Sequence, residues 1–111
     1  MMTVETLRAF GADVDDGLAR CMNKEGFYLM LVRKASEDHR LSLLSEQLAA
    51  KDYAAAFETA HALKGMYANL SLTPLTKPVS EMTELLRSRT DTDYSALMEE
   101  AAAQFARLCG L

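Results

Sequence analysis

The stretch YAAAFETAHALKGMYANLSL, residues 53–72, decides the fold. It consists largely of strong helix formers, and Asp52 stands before it as a cap. Laid out at about 100° per residue, Ala56, Ala60, Leu63, Tyr67 and Leu70 share one face, which is the core side. His61 falls nearly opposite the centre of that face, beside Ala54, Phe57, Lys64, Gly65 and Ala68. A solvated face would carry Glu, Lys and Gln. This one is small and apolar, with one imidazole and one ammonium in its middle.

Two readings of that second face stand side by side. In the first, the helix is buried on two sides and His61 is a packed, hydrogen-bonded histidine. In the second, the face is a docking surface on which small side chains leave the imidazole clear. Gly65 bears on the choice, because glycine inside a helix costs about 1 kcal/mol against alanine. Close helix packing or the close approach of another chain would offset that cost. Lys64 lies one turn from His61 and can reach an anionic group on the imidazole. In an exposed site that attraction is worth roughly 0.5–1 kcal/mol.

Outward from this helix the chain keeps reading as helix. Thr3 caps a short helix that stops at Gly11, and Asp13 begins a second, so short helices occupy about 3–22. Asn23 caps the next element, which covers about 24–51 as one long helix or two abutting ones, with Leu41, Leu44 and Leu48 as its stripe. Lys51–Asp52 is a tight turn into the helix of 53–72. Thr73–Pro74 starts a helix of about 74–89, with Leu75, Val79, Met82 and Leu86 facing inward. A last helix of about 93–109 ends at Gly110, read as a C-terminal cap. Short connections between helices of this length predict an all-α, antiparallel up-and-down four-helix bundle with short extra N-terminal helices, in a single domain of residues 1–111.

Composition agrees and excludes several classes. The 111 residues are 50% hydrophobic and 25% charged, as in a folded globular domain, and contain no isoleucine at all. A net charge of -4 leaves no footprint for nucleic acid. The longest apolar run, Phe27 to Val32, is far too short to cross a bilayer. Met1 to Phe10 lacks the pattern of a signal peptide, and Cys21 and Cys109 read as reduced thiols, so a cytoplasmic location is expected. Glu37-Asp38-His39-Arg40 and Glu99–Glu100 read as solvated helix faces, and the seven methionines as core filling. No Gly-rich phosphate loop, HExxH or Glu-x-x-His pair is present.

The run His61-Ala62-Leu63-Lys64-Gly65 resembles the signature of histidine phosphotransfer domains, the HPt family: His, any residue, Leu, Lys, Gly on the second helix of a four-helix bundle. Four fixed residues in such a window arise by chance in a chain of this length about once in a thousand. The flanks are similar too, with Lys51–Tyr53 as the preceding turn and Phe57 four residues before the histidine. Two positions depart from the pattern. Ser71 stands ten residues after the histidine, where the family often has Gly, and Thr83 stands about 22 residues after it, where a Gln often contacts the imidazole.

The resemblance implies a phosphocarrier, not an enzyme with its own turnover. His61 would take a phosphoryl group on Nε2, and Lys64 would stabilise its charge. Ala54, Phe57, Gly65 and Ala68 would line the partner contact, and Thr83 would be a possible support behind the ring. The partners implied are a sensor histidine kinase and a response-regulator receiver domain, met transiently by a monomer. No metal or cofactor of the chain's own is implied, since Mg²⁺ would sit on the receiver only. Two other functions stay open beside this one: an HPt-like binding module that docks a receiver or kinase without being phosphorylated, and an enzyme using His61 as general base. The second lacks a neighbouring acid or nucleophile in the sequence.

Overall fold

The computed structural model describes residues 1–111 and contains seven helices and no strand. They are α1 (Val4–Phe10), α2 (Val14–Arg20), α3 (Glu25–Ser36), α4 (Arg40–Ala49), α5 (Tyr53–Asn69), α6 (Thr73–Arg87) and α7 (Ser95–Cys109). The molecule is an all-α helix bundle with a packed core and flanking helices, and it measures 41 × 24 × 18 Å. α5 packs most extensively on α6, then α6 on α7 and α4 on α5. α5 therefore lies between two neighbours, with its remaining face outward.

The core is the one the periodicity marked. Ala56, Ala60, Leu63 and Tyr67 of α5 are fully buried against Leu75, Val79, Met82 and Leu86 of α6 and Leu108 of α7. Burying one Leu-sized side chain stabilises by about 1.5–3 kcal/mol, so this seam dominates the fold. Methionine is used more variously than the sequence suggested. Met2 and Met82 are buried, whereas Met1, Met22 and Met30 are exposed.

The span of 24–51 is two helices, and the break falls at residues 37–39. No proline or glycine makes it. Asp38 Oδ1 accepts a hydrogen bond from the Arg40 backbone N–H at 3.0 Å, and its carboxylate also pairs with the Arg40 guanidinium at 2.6 Å. An Asp side chain bonding backbone two residues on competes with helix propagation. The segment read as a solvated helix face is thus a corner, with His39 exposed at its edge against Phe105.

Caps at the other ends show where the sequence signals acted. Thr3 and Thr6 form a reciprocal capping box, and the side chains of Asp13 and Asp52 accept from Asp16 and Ala55 N–H groups. Gly11 ends α1 at φ 112°, a conformation that favours glycine. Asn23 does not cap α3: it sits at φ 56° and Lys24 holds the cap position without a side-chain bond. Gly110 ends α7 at φ -84°, so its left-handed freedom goes unused.

Ser71 joins the short N-terminal helices to the bundle. It ends α5 in the left-handed region at φ 56°, where a glycine would be unstrained. Its carbonyl accepts the Asp13 N–H at 2.9 Å, and its hydroxyl donates to Asp16 Oδ2 at 2.5 Å. Nearby, the Tyr28 hydroxyl donates to the Leu70 carbonyl at 2.8 Å, and burial pushes its pKa up to about 12. Gly17 of α2 lies flat on that ring: a Cβ there would fall 2.6 Å from Tyr28 Cε1.

Candidate functional site

α5 presents His61 to solvent on the face opposite its buried seam. No hydrogen bond ties either ring nitrogen to the chain, and its neighbour is Phe57, one turn back, in an edge-to-face contact with ring centroids 5.4 Å apart. His61 lines none of the three larger clefts. Neutral imidazole is a good nucleophile near neutral pH, and here nothing covers it.

The other residues named from the sequence are distributed around it. Ala54 and Gly65 are exposed, and Phe57, Lys64 and Ala68 are partly buried. A Cβ built on Gly65 would meet nothing within 4 Å. Close packing inside this chain therefore does not account for glycine at 65. Ala68 lines an open groove of about 970 Å³ that runs past Ser71 along α6 to Glu84 and Ser88.

Thr83 is not part of this group. It is wholly buried, and its hydroxyl donates to the Val79 carbonyl one turn back at 2.7 Å. Hydroxyls of this kind satisfy themselves within their own helix. The support for His61 expected from Thr83 is thus absent. The α6 residue that reaches the α5 face is the next one, Glu84, whose Oε2 lies 3.6 Å from Lys64 Nζ.

Glu84 leads to two cations that the sequence reading missed. Arg87 holds the Glu84 carboxylate with two nitrogens, at 3.2 and 3.3 Å, and this hydrogen bonding, followed by the charges of Arg87 and Lys64, keeps the carboxyl below its usual range. The guanidinium carbons of Arg87 and Arg89 each lie 5.1 Å from the centre of the Phe57 ring. Such contacts contribute about 0.5–1 kcal/mol at exposed sites. Arg89 sits at φ 53° beyond the end of α6 and donates to the Leu86 carbonyl at 2.7 Å. The one sequence signal for these residues was the Glu84–Arg87 spacing of a helical ion pair. Their place beside His61 depends on the α5–α6 register, which the sequence does not display.

The surroundings of His61 are therefore cationic on a chain whose net charge is -4. Lys64, Arg87 and Arg89 gather at this face, with Glu84 among them. No group of three or more His, Cys, Asp or Glu side chains is placed to hold a metal ion, and no helix is long and apolar enough to cross a membrane.

Fold and site together define a helical-bundle domain built around a solvent-facing histidine on one central helix. The family model of the Hpt domain matches residues 29–110, and the chain belongs to that family. Domains of this family function in phosphorelay signalling, where they interact with receiver and kinase domains. No curated protein and no solved structure gives a significant match.

Proposed function

We propose that the protein is a histidine phosphocarrier, taking a phosphoryl group on His61 Nε2 and passing it between a sensor histidine kinase and a receiver aspartate. One observation carries the reading: His61 is bare while Gly65, one turn away, keeps an unfilled space above the helix. A helix that bears the cost of glycine without packing against it is suited to the close approach of a partner. The finer topology belongs to the same reading: α3 and α4 together act as the first helix of an antiparallel up-and-down bundle, with α5, α6 and α7 following.

Phosphoryl transfer requires in-line positioning and neutralisation of charge on the moving group. The Nε2 lone pair attacks phosphorus as the bond from phosphorus to the donor breaks and its electron pair returns to the donor, and Lys64 lies one turn away to meet the charge. Ala54, Phe57, Gly65 and Ala68 form the contact rim, at the small end of interface sizes. The Mg²⁺ of the reaction belongs to the receiver. No small substrate is turned over, and the protein works as a monomer in the cytoplasm.

A second reading, a docking module that is never phosphorylated, rests on Thr83. Because its hydroxyl serves Val79, no side chain fixes the tautomer of His61. Receivers charged with radiolabelled acetyl phosphate separate the two. Acid-labile, alkali-stable label on the wild type that disappears in His61→Gln supports the carrier. Binding without label supports the docking module.

A further inference from the structure

We propose that Glu84 sets how readily the phosphoryl group leaves His61, by occupying the Lys64 ammonium that would otherwise meet the phosphoryl charge. The inference rests on the carrier reading. Glu84 approaches Lys64 Nζ to 3.6 Å from the neighbouring helix. Arg87, on the same helix, holds both of the Glu84 carboxylate oxygens. Arg87 is in turn seated on Phe57, and Phe57 touches His61. The chain of contacts His61–Phe57–Arg87–Glu84–Lys64 starts on α5, crosses to α6 and returns one turn beyond the histidine.

A dianionic group on Nε2 meets this arrangement as a weakened attraction. Lys64 attracts it, but its charge is already shared with Glu84. In the transfer, the Nε2–P bond breaks, its electron pair returns to Nε2, and a P–O bond forms to the receiver carboxylate. Glu84 competes with the phosphoryl group for Lys64, and that competition ends when the group departs. The carboxylate therefore biases the equilibrium toward the receiver and keeps the store on His61 shallow.

The test is the equilibrium partition of label between carrier and receiver, using receivers charged with radiolabelled acetyl phosphate. Glu84→Gln keeps the shape and removes the charge. It should raise the ratio of phosphorylated carrier to phosphorylated receiver by about two- to fivefold, the size expected when an exposed ammonium worth up to about 1 kcal/mol is released to the phosphoryl group. Glu84→Asp should stay near the wild type. The difference should shrink in 1 M salt, where the Debye length is about 3 Å, and in a Lys64→Ala background, where there is no ammonium left to occupy. Glu84 is exposed, and equal thermal unfolding of wild type and variant checks that folding is untouched. A labelled wild type whose partition Glu84→Gln leaves unchanged, or moves toward the receiver, overturns this inference alone. A wild type that takes no label from any receiver of its genome overturns the carrier reading, and this inference with it.

Discussion

Replacing Gly65 should raise stability and impair transfer at the same time. The residue lies within α5, where glycine costs about 0.8–1.0 kcal/mol relative to alanine. A Cβ at that position meets nothing within 4 Å, so no clash opposes the gain. Gly65→Ala should therefore stabilise by about 0.5–1 kcal/mol and raise Tm by roughly 3–6 °C in a domain of this size. Gly65→Gln should retain most of that gain, since glutamine is also a good helix former. Its side chain would project into the space a partner must enter. Displacing reacting atoms by about 1 Å costs on the order of a hundredfold in rate, so transfer from a charged receiver should fall at least tenfold. Circular dichroism melts measure the first effect and rapid-quench transfer of label the second. A destabilised Gly65→Ala would refute the open space. A stable Gly65→Gln that transfers at the wild-type rate would refute the rim.

Three further perturbations probe the frame that holds the site. Gly17→Ala would drive a Cβ to 2.6 Å from the buried Tyr28 ring, and should cost about 1–3 kcal/mol, read as a lower urea midpoint. Ser71→Gly relieves about 1 kcal/mol of left-handed strain while losing the bond to Asp16, whereas Ser71→Ala loses the bond and keeps the strain; calorimetry should rank the glycine variant higher in Tm. The Ser71 hydroxyl, then Arg20, holds the Asp16 carboxyl below its usual range. The stability it lends is full above the ordinary carboxylate range and is lost as pH falls through that range to the lowered folded value. Ser71→Ala should therefore flatten the fall of Tm between neutral and acid pH, and an unchanged slope would remove Asp16 from the account.

How much could be read from the sequence differs from one residue to the next. The buried seam of α5 follows from helical period alone, because Ala56, Ala60, Leu63 and Tyr67 sit on one stripe and all reach zero exposure. The caps at Thr3, Asp13 and Asp52 are equally local. The break between α3 and α4 was hidden because an Asp side chain makes it, without a proline or glycine. Met22, Asn23, Lys51, Ser71 and Arg89 all take left-handed turns that composition does not mark. Ser71 shows why glycine suits that place and how a serine holds it, by bonding Asp16.

At the site, His61, Lys64 and the small residues of α5 share one helix, so spacing brought them together. What spacing could not give was the facing helix. Counting along the chain pointed to Thr83, whereas rotation about α6 turns Thr83 into the core and Glu84 toward Lys64. One residue on a helix is about 100°, enough to replace a neutral support with a charge. Arg87 and Arg89 were missed for the same reason, since their relation to Phe57 exists only once α5 and α6 are paired.

Site-resolved labelling decides whether His61 accepts the phosphoryl group. The wild type, exposed to charged receiver, should yield acid-labile, alkali-stable label on the peptide containing His61. His61→Gln should yield none while keeping its melting temperature. Label that persists in His61→Gln, or that maps to His39, would contradict the account.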